Sequence, residues 1–170
     1  MTFRRAHRDD AAALADLGRR AFVAKFGTLY RPEDLATFLA DSHTTAKVAA
    51  ELADPKIRTA VVEQDGVLLG YCKLAVPSTL PRVNQAEQPV EVKQLYTDPE
   101  RLGQGVGARL MDWALNEARK TGADALELSV WSENPGAQRF YARYGMQKVG
   151  MVDFMVGAQR DEDWIFSVRL

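Results

Sequence analysis

Hydrophobic residues recur along this chain with two periods, and the switches between them outline its elements. Thr2 to Ala6 reads as a short strand. Asp9 or Asp10 then caps a helix whose Leu14, Leu17, Ala21, Phe22 and Phe26 share one face, with Gly27 ending it. Pro32 sits in the first turn of a second helix in "LYRPEDLATFLADS", and "TTAKVAAELADP" is a third, stopped by Pro55. Two β-branched and apolar runs flank Asp65-Gly66 in "RTAVVEQDGVLLGYCKLAV", which predicts a hairpin with a tight turn. From Pro77 to Pro89, prolines with Ser, Asn and Gln mark a loop.

The second half repeats the two periods in another order. "VEVKQLYT" is a strand, and Val106, Leu110, Trp113, Ala114 and Ala118 then form a helical stripe reaching Gly122. "ALELSVW" alternates as a strand. Asn134 caps a helix that starts at Pro135, carries Phe140, Tyr141 and Tyr144, and closes at Gly145; "QKVGMVDFM" and "DWIFSVR" are the final strands. A hairpin requires antiparallel pairing, whereas the strand-helix-strand unit from Val90 to Trp131 requires one parallel pair with a right-handed crossover. The expected fold is α+β: a mixed, mostly antiparallel sheet of about seven strands with one parallel pair and helices on both faces.

Composition narrows the function classes. With 170 residues, 46% of them hydrophobic, the chain suits a single domain, 1–170. Its 22 basic and 23 acidic residues leave a formal charge of −1, without the basic footprint that nucleic acid requires. No segment approaches the roughly 18 unbroken apolar residues of a membrane span, and "MTFRRAHRDD" lacks an apolar signal core. The lone Cys72 excludes an internal disulfide and fits a reducing, cytoplasmic setting. It alternates with Leu68, Leu74 and Val76 on one strand face, so it reads as a buried small hydrophobe and not a nucleophile. His7 and His43 have no partners at ligand spacing, and no metal is expected.

Candidate chemistry concentrates in "RLGQGVGARLMDWAL", where Gly103, Gly105 and Gly107 stand at alternate positions ahead of a helix. A helix N-terminus offers unpaired N–H groups and partial positive charge, so a glycine approach to one can hold phosphates by backbone contact. No glycine precedes a lysine, which argues against a nucleoside triphosphatase loop. A dinucleotide fold could use Gly103, Gly105 and Ala108 with Glu127 as the ribose acid, but Asp98 to Leu102 separate the turn from its strand and a single parallel crossover cannot build two half-folds.

The segment "LYTDPERLGQGVGARLM" resembles the acyl-coenzyme A pyrophosphate loop of the GNAT N-acetyltransferase superfamily, Gln/Arg-x-x-Gly-x-Gly/Ala, with Leu102 where Gln or Arg is usual. "ENPGAQRFYARYGM" is similar to that family's Asn-x-x-Ala-x-x-Phe-Tyr segment, Met146 replacing a closing Phe. The resemblance implies acetyl-CoA as cofactor, its diphosphate cradled by main-chain amides from Gly103 through Gln104, Gly105, Val106 and Gly107 to Ala108. It also implies cofactor contacts at Asn134 and Ala137, and a strand bulged around Leu95 and Tyr96 that turns an amide to the thioester carbonyl. The pantetheine arm would enter the splay beside that strand and pair with backbone near Leu95 and Thr97.

Acyl transfer to an amine needs a base, an oxyanion donor and a proton for the departing thiolate. Glu91, on the strand leading to the loop, is the candidate base, directly or through water. Tyr141 matches the family tyrosine beside the sulfur and is expected to hand its proton to the thiolate; a phenol and a thiol titrate near 10 and 8.5. Acceptor choice should lie in "AFVAKFGTLYRPEDL", where Phe26 and Tyr30 could line the site, and in the Pro77 to Pro89 loop. The tail "FMVGAQRDEDWIFSVRL" is similar to that of PaiA-type spermidine/spermine acetyltransferases at Phe154, Gly157 and Asp163. The implied acceptor is a small-molecule primary amine such as spermidine; a peptide N-terminus or protein lysine is an alternative, as is a non-catalytic acyl-CoA-binding module. A homodimer is compatible with the sequence.

Overall fold

The computed structural model describes residues Met1–Leu170. Strand β1 (Thr2–Arg5) leads into helices α1 (Ala11–Phe26), α2 (Pro32–Ser42) and α3 (Thr45–Ala53). Strands β2 (Ile57–Gln64) and β3 (Val67–Ala75) form the hairpin, turning where Asp65 and Gly66 both take positive φ. After β4 (Pro89–Thr97), helix α4 (Val106–Lys120) crosses over to β5 (Ala125–Trp131); α5 (Pro135–Ala142), β6 (Gln147–Val156) and β7 (Gln159–Arg169) complete the chain. All seven strands make one sheet in the order β1-β2-β3-β4-β5-β7-β6. Every neighbouring pair is antiparallel except β4–β5, as expected of an α+β fold with a single crossover.

Two cores lie on opposite faces of this sheet. On one face α4 packs Leu110, Met111 and Ala114 against Leu74, Val92 and Leu128, with Phe140 and Tyr141 of α5 at its margin. On the other, Leu14 and Leu17 of α1 and Val48 of α3 cover Val61, Leu68 and Tyr71. Each strand in the middle of the sheet is therefore buried on both sides, which is why β3 is almost wholly buried.

Strand irregularities decide which side chains reach which face. The β2–β3 ladder slips between Val62 and Glu63, leaving Leu69 as an extra residue in β3. This corrects the expected alternation: Cys72 and Leu74 share the α4 face with Leu69, while Leu68 joins the α1 face. A bulge inverts the period beyond it, and periodicity alone cannot locate one. A second slip, between Lys73 and Leu74 of β3, makes Lys93 the extra residue of β4.

The β4–β5 ladder is short. It runs from Pro89↔Ala125 to Glu91↔Glu127 and stops, so from Val92 onward β4 diverges from β5 and its β5-facing backbone groups have no strand partner. β5 meanwhile pairs with β7 along its whole length. The sheet is thus split at its centre, on the side where the chain leaves β4 for the glycine turn.

Gly157 fixes the hairpin between β6 and β7 to α2. It sits at φ +56° with Asp34 so close that an added Cβ would lie 2.5 Å from the Asp34 Cα, and the next amide, Ala158 N–H, donates to Asp34 Oδ1 at 2.8 Å. Only glycine combines this conformation with this approach. The clamp holds the ends of β6 and β7 over the α1 side of the split.

Candidate active site

The split in the sheet opens into a cleft of about 660 Å³ whose walls come from both faces. Leu95, Tyr96 and Thr97 of β4 form one side and Ser129, Val130 and Trp131 of β5 the other. From the α4 face come Leu102, Gly107, Asn134, Ala137 and Tyr141; from the α1 face come Phe22, Phe26, Tyr30, Phe154, Asp161 and Asp163. The cleft therefore runs through the sheet and joins a glycine-edged end to an aromatic and acidic one.

The glycine-edged end is built by chain direction. Pro99–Arg101 makes a single 3-10 turn capped by Asp98, whose carboxylate accepts Glu100 N–H at 3.0 Å and faces Arg20 at 3.2 Å. Gly103 and Gly105 then take φ +80° and +74°, the left-handed region, and Gly105 is the N-cap of α4. No side chain caps this helix; Arg109 N–H to Gly105 carbonyl, at 3.2 Å, is its first bond, leaving the N–H groups of Val106, Gly107 and Ala108 without an acceptor. Val106 buries its side chain in the core and offers only this amide. Gln104 and the two positive-φ glycines form the exposed turn, and Leu102 projects into solvent at 67% exposure.

Gly107 tests whether the end fits a ligand. A Cβ there would meet Phe140 at 3.6 Å and Leu95 at 3.9 Å, ordinary contact distances, so packing within the protein does not demand glycine. Gly107 lines the cleft, so a side chain there would enter it beside three unpaired amides. That combination, open main-chain donors at an uncapped helix N-terminus, matches a diphosphate.

Asn134 and Tyr141 sit where α5 edges the cleft. Asn134 Oδ1 caps α5 by accepting Ala137 N–H at 3.3 Å, which leaves its NH2 group free for a ligand. Tyr141 lies against the α4-face core, and burial pushes its phenol above the ordinary range near 10. A phenol is a weaker acid than a thiol, so complete hand-over to a thiolate runs uphill, and burial makes it more so. The expected proton donation is corrected accordingly: Tyr141 suits an O–H that stays bonded to its proton while donating a hydrogen bond.

Glu91 does not reach the cleft. Its carboxylate, only 5% exposed, accepts Thr79 N–H at 3.0 Å and Thr79 Oγ1–H at 2.6 Å, with Lys93 Nζ 3.8 Å away. The Pro77 to Pro89 loop thus covers it, next to Glu127, to which Ser78 donates at 2.5 Å. Burial and the neighbouring Glu91 raise the Glu127 carboxyl above its usual range, and neither acid lines the cleft. Glu127 is therefore no ribose acid. The bulge is also displaced from expectation, lying at Lys93 and not at Leu95 and Tyr96.

Acids that sequence reasoning gave no catalytic part occupy the other end. Tyr30 Oη donates to Asp161 Oδ2 at 2.5 Å, and Gln159 Nε2 donates to Asp161 Oδ1 at 3.0 Å. Asp163, two residues on and on the same strand face, is 6% exposed and forms no ion pair. Burial, with the Asp161 charge beside it, pushes its carboxyl up to about 6, while Ser129 nearby pulls the other way. Because the folded value exceeds the usual 3.8, the fold favours the protonated form: the stability held at acid pH is lost as pH rises from about 3.8 to about 6. Phe26 stands edge-on to Trp131 at 6.0 Å and Tyr30 stacks on Phe22 at 6.1 Å, which makes this end an aromatic chamber.

Comparison with known proteins agrees with this geometry. The model of the "Acetyltransferase (GNAT) family" matches residues 19–146. An uncharacterized N-acetyltransferase of Mycobacterium tuberculosis is 31% identical over 161 residues, spanning 95% of this chain and 98% of the relative. An aminoalkylphosphonate N-acetyltransferase of Salmonella typhimurium is 33% identical over 100 residues, 59% of this chain and 63% of that one. Among solved structures, the PaiA N-acetyltransferase of Thermoplasma acidophilum in complex with coenzyme A shares the fold at a TM-score of 0.78 and 18% identity, covering 99% of this chain and 98% of that one. A Salmonella typhimurium protein solved with its cofactor acetyl-CoA gives a TM-score of 0.75 at 20% identity, covering 100% of this chain and 94% of that one. The family match takes in the split strands, the glycine turn and Tyr141, so sequence and geometry converge on one conclusion: the chain belongs to the GNAT acetyltransferase family.

Proposed function

We propose that this enzyme transfers an acetyl group from acetyl-CoA directly to a small primary amine. The observation that carries the reading is the through-sheet cleft, which has an anion-binding backbone turn at one end and carboxylates among aromatic rings at the other. Bound acetyl-CoA supplies an activated acetyl group on a thioester. The amides of Val106, Gly107 and Ala108 hold its diphosphate, and the unpaired edge of β4 from Val92 to Thr97 offers backbone partners to its arm. N–H groups on that edge, displaced by the Lys93 bulge, stabilise charge developing on the thioester oxygen. Tyr141 donates a hydrogen bond to the sulfur as it gains charge.

The acceptor end supports a cation. Asp161 and Asp163 attract an ammonium group, and the rings of Phe26, Tyr30 and Trp131 accept an alkyl stem or a cation against their faces. Polyamines such as spermidine meet these demands, and the PaiA likeness supports that branch. The partial likeness to an aminoalkylphosphonate N-acetyltransferase, together with Lys25 and Lys93 in the same lining, supports a second reading in which the amine carries an anionic group.

A panel of spermidine, a simple alkylamine, an aminoalkylphosphonate, a peptide N-terminus and a lysine-containing peptide separates these readings. We expect acetyl-CoA-dependent acetylation of spermidine or the alkylamine, well above that of the peptides. Coenzyme A binding with no turnover on any amine would instead identify an acyl-CoA-binding module.

A further inference from the structure

We propose that Asp163 is the catalytic base of this enzyme, taking the proton from the acceptor ammonium within the aromatic chamber. The inference rests on the amine acetyltransferase reading above and assigns the step that Glu91 cannot perform from beneath Thr79. Three observations carry it. Asp163 lines the cleft while more than nine-tenths buried, and no Lys or Arg pairs with it. Its strand partner across the β5–β7 ladder is Trp131, which places the carboxylate beside the split through which the sheet opens. Asp161, its neighbour on the same face, is already engaged by the Tyr30 hydroxyl and Gln159, so the two acids are not equivalent.

The proton accounting is complete with these groups. One Asp163 oxygen accepts a proton from R–NH3⁺, freeing the lone pair that forms the C–N bond to the acetyl carbon as the C–S bond breaks. The second proton lost by nitrogen goes to sulfur, and Asp163 returns its own proton to solvent. A base suits this work when it is ionised at working pH, as a carboxyl pushed up to about 6 is; taking a proton from an alkylammonium of pKa about 10.4 still runs uphill, and formation of the C–N bond draws the transfer forward. The titratable and charged groups facing it are Asp161 on β7, Tyr30 after α1, Tyr96 on β4 and Tyr141 on α5, with Lys25 and Lys93 elsewhere in the lining. The tyrosines stay neutral through this range because burial raises Tyr30, Tyr96 and Tyr141 alike.

Asp163→Asn keeps the shape and removes the base. With the best amine of the panel, kcat/KM at pH 7 should fall tenfold to a hundredfold, while the rise in Tm on adding coenzyme A persists and shows an intact fold. The wild-type pH profile should lose activity below a limb near 6. In the variant that limb should vanish, and rate should rise with pH as free amine becomes populated. A wild-type rate with the limb retained in Asp163→Asn overturns the assignment. So does a limb that survives in Asp163→Asn and disappears in Glu91→Gln, which would return the base to Glu91. Failure of the wild-type enzyme on every amine strikes the underlying reading instead, so the two failures are distinct.

Discussion

Gly107→Glu should fold at least as well as the wild type and yet bind coenzyme A more than about a hundredfold more weakly. The two halves of this result have separate causes. Gly107 is the second residue of α4 and has no positive φ, so any side chain suits its backbone. Replacing glycine in a helix gains up to about 1 kcal/mol, and an acidic residue in the first turn gains a further 0.3–1 kcal/mol from the unpaired amides. The Cβ meets Phe140 at 3.6 Å, without a clash. Those same amides, however, are the donors offered to a diphosphate, and the new carboxylate puts the same sign of charge beside them, in the first turn of the helix. Thermal denaturation and calorimetric titration with coenzyme A read the two halves independently. Unchanged coenzyme A affinity in a well-folded variant would move the diphosphate away from α4.

Tyr141→Phe should lower kcat by about a hundredfold and change coenzyme A affinity by less than about threefold. A thioester sulfur is a poor hydrogen-bond acceptor and a thiolate a good one, so the phenol O–H contributes little until the C–S bond breaks. The ring keeps its packing against the α4-face core, because phenylalanine has the same shape. Single-turnover rates with saturating acetyl-CoA report the chemical step. Equal losses in affinity and rate would make Tyr141 a binding residue, and an unaltered rate would remove it from the reaction.

Most of the architecture was legible because it rests on local signals. Asp65-Gly66 demanded a hairpin, Asn134-Pro135 a helix start, and the Val106 to Ala118 stripe a crossover helix over a parallel pair. The glycine turn was legible for the same reason: Gly103, Gly105 and Gly107 stand at alternate positions of one short segment that leads into a helix. The acceptor end is assembled from α1, the turn after it, β5, β6 and β7, and no local pattern joins Phe26, Trp131 and Asp163.

Bulges account for much of the remainder. Leu69 and Lys93 each invert the face of every residue beyond them, and their positions follow from how strands pair, not from composition. Glu91 lay on the anticipated strand, but it is the last residue of the closed β4–β5 ladder, and the proline-rich loop supplies Thr79 as its partner. Asp163 was singled out only by the likeness of the tail, and Asp161 not at all, because neither stands in a pattern that local periodicity marks as a site. The available signal was their place at alternate positions of the final strand, shortly before the buried Ile165 and Phe166.

Amide hydrogen exchange with and without coenzyme A reads the backbone groups of the donor site themselves. Coenzyme A should slow exchange at Gly103 to Ala108 and along β4 from Val92 to Thr97, and leave the β1–β2 side of the sheet unaltered. Protection elsewhere, with the glycine turn and the open edge of β4 exchanging as before, would contradict a donor site built across the split sheet.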